Sequence, residues 1–490
     1  MSGSPRTLAQ SVHSVFDVAE TALARAPVWL ACAAALFAFQ LFLIWSHEAW
    51  ADEMQALLIA LEAPGLPSLM EWLTYEGHPP LWYWLLRVLG NLVEPHIVLP
   101  LAATLCAAIT QGAILFASPF SRLERLFIAL SQFMLFEFLT IARGTSLGVA
   151  IFVLALVAWR SRWFWLLMAA LPLVDFLFGV LSGVLLVLKW REKDLWWPGV
   201  AAWLAGSVFA AWTVIPASDM VSAHEAMNMP SGLLLWAQQV TALLVPFQGG
   251  LQPQWNSPVV PISMIGWIVF LALCLYATME RPWHTAVMFG FLGFTLAFSL
   301  VIYPIGLRHL MLAAMLLIGL SWLARTQDAP PSSAFRSWIA LAAICGVASS
   351  LISTNKGFDS ADQVLAEIEM RGLSDKHWIA LPEWRVPSVA GRSDLAFTRA
   401  ESACTFRFVR WDHKSEALAG SEQFESFLHE TISNYGKVHL LSDIRFSGFD
   451  ESLIVPLAEV PPGYNGIGYY LYTVGPQAPE KPSDLRPCSE

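Results

Sequence analysis

The chain has 490 residues, of which 56% are hydrophobic and only 13% are charged, and its mean hydropathy is +0.55. Soluble domains carry roughly 25% charged residues, so this composition indicates a membrane protein. The formal net charge of -10 argues against a nucleic-acid-binding protein, which needs a basic surface.

Apolar runs of about 20 residues predict membrane spans. Residues 1–26 form a polar tail, and the run that follows is too long for a signal peptide and lacks a cleavage site, so it predicts a retained span. Residues 27–354 predict an α-helical polytopic domain of about eleven membrane segments. Nine are single runs and two are short helices of the block 163–190, which Pro172 divides. The nine runs are 27–46, 97–118, 123–141, 144–159, 197–216, 259–279, 283–303, 307–324 and 335–353.

The distribution of arginine and lysine predicts the direction of the spans, because basic residues concentrate in cytoplasmic loops. With the N-terminus in the cytoplasm, the loops 121–125, 160–162, 189–193, 280–281 and 325–336, each of which carries Arg or Lys, all fall inside. The first loop, 47–96, then lies outside. Its apolar run 80–93 is too short for a span, so we predict juxtamembrane helices on the outer surface.

Residues 355–490 have ordinary polarity and alternate between amphipathic and period-2 patterns, which predicts a small α/β domain on the outside. Helices are predicted at 360–370 and 422–435, and strands at 377–381, 404–411, 437–441 and 468–474. Cys404 and Cys488 could form a disulfide if this domain faces an oxidising compartment. No cysteine or histidine spacing resembles a zinc site.

Ionisable side chains gather at the predicted outer face, where such groups in an apolar chain indicate a functional site. We expect a cavity that opens to the outside and is lined by them. Asp52 and Glu53 are the predicted catalytic residues. The predicted substrate-binding residues are Glu76, His78, Glu137, Arg143, Asp175, His224, Arg308 and His309.

Asp52 and Glu53 could provide a general base whose pKa is raised by desolvation. They could equally lie in the first turn of a helix and favour its dipole. Adjacent residues on a helix point about 100° apart, so we expect only one of them to face the site, and we favour Asp52. The nearby tryptophans, Trp50 among them, are typical of the membrane interface.

The other candidates also have structural alternatives. His78 precedes two prolines and could orient an acid or contact phosphate, or be a surface residue of a turn. Glu137 could form a buried ion pair with Arg143, which we favour over a catalytic role. Arg308 offers the fork of donors that phosphate requires, with Arg143 as the second candidate, whereas the alternative is interfacial snorkelling.

The first loop resembles that of the C-type (GT-C fold) membrane glycosyltransferases, which include protein-mannosyltransferase-like and aminoarabinose-transferase-like enzymes. The resemblance rests on Asp52-Glu53, on His-Pro-Pro-Leu-Trp-Tyr at 78–83, on Phe-Glu-Phe at 136–138 with Ile-Ala-Arg at 141–143, and on 303–309. It covers 27–324 in layout. Gly-Thr stands at 144–145, where many relatives carry a tyrosine or Arg-Pro-Asp, so a second catalytic acid is unassigned between Asp175 and Glu137.

The resemblance implies an inverting transfer of a sugar from a polyprenyl-phosphate-linked donor to a hydroxyl of a glycan, lipid or protein. It places this reaction at the outer face of a bacterial inner membrane, with the C-terminal domain in the periplasm. Asp52 would activate the acceptor hydroxyl, and Arg308 or Arg143 would hold the phosphate of the leaving lipid. Relatives differ in metal dependence, so we predict no cofactor and leave a divalent metal open.

Two other functions remain open. A transporter or flippase of a lipid-linked saccharide would be expected to show internal repeats or polar residues deep in its spans, and neither is clear in the sequence. A non-catalytic glycan-binding relative would keep the fold without the activity.

Overall fold

The computed structural model describes residues 8–220, 229–247, 263–302, 305–399, 404–411, 421–481 and 485–488. Within these ranges the chain is mainly helical, with a small sheet domain at the C-terminal end. The helices before that domain are α1 (Leu8–Leu23), α2 (Ala26–Trp45), α3 (Ala51–Glu62), α4 (Leu66–Leu73), α5 (Leu81–Gly90), α6 (Pro95–Gly112), α7 (Arg122–Leu130), α8 (Gly144–Val157), α9 (Trp163–Ala170), α10 (Phe176–Arg191), α11 (Trp197–Thr213), α12 (Met229–Ala242), α13 (Ser263–Thr278), α14 (Pro282–Val301), α15 (Leu307–Arg325) and α16 (Ser333–Lys356).

Five helical stretches in the described ranges are long and apolar enough to cross a membrane, by length and composition. They are Ala26–Trp45, Pro95–Ala117, Pro282–Val301, Leu307–Arg325 and Ser333–Met370. Other apolar helices, such as Gly144–Val157, are shorter than the roughly 20 residues that a span needs. The prediction of a helical membrane protein with a small C-terminal sheet domain is therefore confirmed, and the prediction of about eleven membrane segments is wrong.

Breaks in helical geometry shorten several predicted spans. The run 123–141 divides at Ser131, whose extended backbone ends α7 and whose hydroxyl accepts a hydrogen bond from the Met134 N–H of the π-helical segment Gln132–Phe138. Helix α16 crosses at this break, where a Cβ on Gly346 would lie 2.2 Å from the Leu130 carbonyl oxygen. An apolar composition is the same on both sides of such a break, so hydropathy alone does not detect it.

Glu124 joins three helices at one end of the bundle. It is fully buried, and its Oε1 atom lies 2.6 Å from Arg325 Nη2 and 2.9 Å from Arg336 Nε. Its other oxygen accepts a hydrogen bond from the Ser121 N–H, which closes a capping box on α7. Arg308 lies at the opposite end of α15 from Arg325, roughly 25 Å away at about 1.5 Å per residue.

The C-terminal domain is built on a seven-stranded mixed sheet with the order β5-β6-β4-β1-β2-β3-β7. Strand β1 pairs in parallel with β2 and β4, and β6 is antiparallel to β4 and β5. The elements are α17 (Ala361–Met370), β1 (Trp378–Ala380), α18 (Val386–Ala390), β2 (Phe397–Arg399), β3 (Cys404–Phe406), α19 (Ser421–Tyr435), β4 (Val438–Ser442), β5 (Ile454–Val460), β6 (Tyr469–Val474) and β7 (Arg486–Pro487).

The sheet domain packs against the first loop. A Cβ on Gly391, directly after α18, would lie 2.6 Å from Met54 Sδ of α3, so the Met54 side chain packs directly on the Gly391 backbone. Trp50 and Phe136 share a buried cluster with Tyr464 of the sheet domain. Elsewhere in this domain Cys404 and Cys488 form a disulfide that joins β3 to β7.

Candidate active site

Asp52 lies between two arginines that are distant in sequence. It occupies the first turn of α3, and its Oδ2 atom is 2.8 Å from Arg308 Nη1 and 3.1 Å from Arg143 Nη1. Arg308 is in the first turn of α15, and Arg143 directly precedes α8, so three helix N-termini meet here. The side chains of Asp52, Arg308 and Arg143 are 34%, 25% and 17% exposed, so solvent reaches this cluster.

The charges around Asp52 determine its ionisation. Burial acts to raise the pKa of Asp52, but the guanidiniums of Arg143 and Arg308, together with the hydrogen bond from Arg308, outweigh burial and lower the pKa. The expectation that desolvation raises this pKa is therefore wrong for the ion-paired state. Asp52 is ionised at neutral pH and is a weak base as long as both arginines hold it.

Trp50 forms one side of the same cluster. Its ring centroid lies 5.9 Å from Cζ of Arg143 and 6.0 Å from Cζ of Arg308, within the range of cation–π attraction. The residue is 7% exposed, so its ring is buried in the protein and does not face lipid in the way that the sequence suggests. Trp50 lies two residues before Asp52, at the start of α3, and this proximity in sequence could have identified it as a residue of the site.

Glu53 faces away from solvent and fixes the loop that carries Asp52. The residue is fully buried. Its Oε2 atom lies 2.8 Å from His47 Nε2 and accepts a hydrogen bond from the Trp50 N–H at 3.1 Å. Its Oε1 atom accepts a hydrogen bond from the Ala142 N–H at 2.6 Å, next to Arg143. These contacts hold the start of α3, which carries Asp52, against the segment that carries Arg143. A catalytic role for Glu53 stays a prediction.

Glu76 and His78 approach the cluster from the loop before α5. Glu76 Oε1 accepts a hydrogen bond from Gln55 Nε2 at 2.7 Å, and His78 Nδ1 lies 2.9 Å from the Glu76 carbonyl oxygen. Burial, with a smaller contribution from the charge of Asp52, raises the pKa of Glu76 to about 7, against the hydrogen bonds from Gln55 and Tyr83. Burial also lowers the pKa of His78, which favours a neutral imidazole.

The raised pKa of Glu76 predicts a specific dependence of stability on pH. The ordinary pKa is 4.5 and the folded value is about 7, so the folded state binds the proton more tightly and the free energy of unfolding falls as pH rises between these values. We expect Glu76→Gln to remove this fall. Thermal unfolding midpoints of both proteins between about pH 5 and pH 8 test it, and parallel curves for the two proteins would contradict the prediction.

Glu137 is 4% exposed and lies in the π-helical segment Gln132–Phe138. Burial and the charge of Arg308 lower the pKa of Arg143, and the charges of Asp52 and Glu137 act against this lowering. Glu137 is thus near the site without being at its solvent-exposed side.

Asp175 and His309 each cap a helix. The Asp175 carboxylate accepts a hydrogen bond from the Leu177 N–H at 2.8 Å, and His309 Nδ1 accepts one from the Gly306 N–H at 3.3 Å. Roles of both residues in substrate binding stay predictions, and His224 lies outside the described residues. In the described ranges no group of three or more His, Cys, Asp or Glu side chains is placed to hold a metal ion.

Fold and site together define a helical membrane protein with an ionic site where its first loop meets the N-termini of α8 and α15. Comparison with known protein families, curated proteins and solved structures finds no match to this chain. The chemistry of the site is therefore the basis for assigning a function.

Proposed function

We propose that the protein is a GT-C-type membrane glycosyltransferase. It transfers a sugar from a polyprenyl-phosphate-linked donor to a hydroxyl acceptor, a glycan, lipid or protein, with inversion. The observation that carries the proposal is the placement of Asp52 between Arg308 and Arg143, at 2.8 and 3.1 Å. Two guanidiniums that converge beside helix N-termini are suited to a phosphate group, and the carboxylate between them is suited to a proton transfer.

The proposed reaction starts with an exchange of anions. The donor phosphate takes the place of Asp52 between the two arginines, and the pKa of the released carboxylate rises because the charges that lowered it are now shared with phosphate. Asp52 then accepts the proton of the acceptor hydroxyl. The hydroxyl oxygen forms a bond to the anomeric carbon while the bond from that carbon to the phosphate oxygen breaks. The electron pair leaves with the lipid phosphate, whose charge Arg143 and Arg308 stabilise.

Glu76 and His78 complete the proposed binding site. The Glu76 carboxyl is half-buried and lies near Asp52, so we assign it a hydrogen bond to a hydroxyl of the substrate. Neutral His78 supplies a second polar group at the same place. No cofactor is part of this proposal.

We place the protein in a bacterial inner membrane. Its C-terminal domain lies in the periplasm and its N-terminus in the cytoplasm. The disulfide between Cys404 and Cys488 supports this placement because such bonds persist in oxidising compartments. Arg325 and Arg336 at the other end of the bundle support it as well, since basic residues concentrate on the cytoplasmic side.

A transporter or flippase of a lipid-linked saccharide is the second candidate, and one observation favours it. Gln111 donates a hydrogen bond to Gln40 at 2.9 Å, and Gln40 donates one to Thr140 at 3.0 Å. Both glutamines are buried inside the helical bundle, where polar side chains often mark a substrate path. Assays with donor lipid in sealed vesicles separate the two candidates, because a flippase moves the lipid without cleaving the bond from sugar to phosphate.

Lipid binding tests the phosphate site directly. Replacing Arg308 by Gln is expected to weaken binding of polyprenyl phosphate to the purified protein by about 10- to 100-fold, since a charge-assisted hydrogen bond contributes about 1.5–3 kcal/mol. Arg445→Gln is the control, because Arg445 is an exposed arginine of the C-terminal domain. Equal affinities for the two variants would exclude Arg308 as a phosphate ligand. Analysis of lipids and surface glycans in a deletion strain then identifies the sugar and its acceptor.

A further inference from the structure

Gln55 connects the C-terminal domain to the candidate active site. The residue lies on α3, three positions after Asp52, and is 8% exposed. Its Nε2 atom donates hydrogen bonds to the Val409 carbonyl oxygen and to Glu76 Oε1, both at 2.7 Å. Its Oε1 atom accepts a hydrogen bond from the Val409 N–H at 2.9 Å.

These contacts fix the orientation of the Gln55 amide. A primary amide has two N–H donors, and here one is directed to Val409 and the other to Glu76. Because the Val409 N–H requires an acceptor opposite it, a flipped amide would break the contacts to Val409 and place a carbonyl oxygen against the Glu76 carboxyl. The Val409 backbone thereby directs the N–H of the Gln55 amide, and not its carbonyl oxygen, toward the Glu76 carboxyl.

The segment 406–410, which we call the clamp segment, is held on the first loop along its length. Arg407 Nη1 lies 2.7 Å from Glu62 Oε1 at the end of α3. The ring centroids of Phe408 and Trp72 are 4.9 Å apart. Arg410 Nη2 donates a hydrogen bond to the Tyr75 hydroxyl at 2.7 Å, directly before Glu76. Val409 therefore occupies a fixed position beside Gln55.

We propose that Gln55 is a positioning residue through which the clamp segment of the C-terminal domain orients the Glu76 carboxyl toward the substrate. This inference rests on the proposed function for the role of Glu76, while the coupling of Val409, Gln55 and Glu76 can be measured without it. The C-terminal domain is then part of the site and not only an attachment to the membrane domain.

A double-mutant cycle on the full chain in lipid nanodiscs measures the coupling. Gln55→Met removes the amide and keeps the length of the side chain, and Glu76→Ala removes its partner. We expect the shift in the thermal unfolding midpoint of the double variant to differ from the sum of the single shifts by at least about 2 °C. Glu62→Gln, which alters another contact of the clamp segment, is expected to be additive with Glu76→Ala. Additive shifts for Gln55→Met and Glu76→Ala would overturn the inference.

A second measurement separates positioning from mere docking of the domain. The Gln55 hydrogen bond lowers the pKa of Glu76, whereas burial and Asp52 raise it. Gln55→Met is therefore expected to move the pH dependence of the unfolding midpoint upward by roughly one pH unit, and Glu62→Gln to leave it in place. An unchanged pH profile in Gln55→Met would overturn the inference.

The transfer reaction provides the functional readout. We expect Gln55→Met to lower kcat about tenfold or more while the affinity for polyprenyl phosphate stays within about twofold, because the Gln55 amide hydrogen-bonds Glu76 and Val409 and not Arg143 or Arg308. A parallel loss of phosphate affinity would indicate general disruption and overturn the inference. Coupling and a shifted pH profile in a protein whose wild type transfers no sugar would support the role of Gln55 and refute the proposed function.

Discussion

Replacing Asp52 by Asn is expected to reduce sugar transfer by about 100- to 10,000-fold, the range that a general base contributes. Asparagine keeps the shape of the side chain but accepts no proton at neutral pH. Binding of polyprenyl phosphate is expected to persist or tighten, because the carboxylate that occupies Arg143 and Arg308 is removed. Transfer and lipid affinity are measured on the same preparation in lipid nanodiscs.

Asp443→Asn is the matched control for this experiment. Asp443 also pairs with an arginine, Arg385 at 2.6 Å, but it lies in the C-terminal domain away from the site. We expect this variant to transfer sugar at close to the wild-type rate. Transfer that survives in Asp52→Asn would exclude Asp52 as the base, and a loss of phosphate affinity would refute the exchange of anions.

Removal of the Glu124 side chain is expected to cost about 3–5 kcal/mol in the free energy of unfolding, because it removes the buried carboxylate that both Arg325 and Arg336 contact. Arg336 is 6% exposed and cannot regain full hydration in place. Chemical unfolding of Glu124→Ala in detergent micelles measures the loss.

An exposed ion pair provides the control for Glu124. Glu367 and Arg371 pair at 3.1 Å on the surface of α17, one helical turn apart. Such pairs contribute about 0.3–0.5 kcal/mol, so Glu367→Ala is expected to unfold almost as the wild type does. A similar cost for both variants would mean that the Glu124 cluster does not join α7, α15 and α16 energetically.

The sequence predicts which residues belong to the site better than it predicts what each one does. Arg308 is predicted as a phosphate ligand with Arg143 as the second candidate, and the structure places both on Asp52. The direction of the Asp52 pKa could not be predicted, because it depends on distances between residues up to 256 positions apart. Gln55 was not predicted as a site residue, because its role depends on the contact with Val409, and the sequence does not show that contact.

In the fold, local patterns predict most of the strands, whereas the long apolar runs predict the five spanning-length stretches and further spans that the described ranges do not support. Strands β1, β3, β4 and β6 overlap the predicted runs, since alternation of apolar residues is a local property. Strand β5 was missed because it contains Pro456, which a sheet tolerates only where the missing N–H faces no neighbour, and β5 is the edge strand. The number of spans was overestimated because composition does not reveal the break at Ser131.

The contact between Gln55 and Val409 joins residues that are 354 positions apart, and this separation has a consequence for biosynthesis. A ribosome adds roughly 5–20 residues per second, so α3 exists for some tens of seconds before its partner emerges. Once Arg308 has been synthesised, a nascent chain contains Asp52, Arg143 and Arg308, while Gln55 still lacks the contact with Val409 that fixes its amide beside Glu76. Under the proposed function, a chain that ends before Val409 is therefore expected to bind polyprenyl phosphate but to transfer sugar more slowly, as is expected for Gln55→Met.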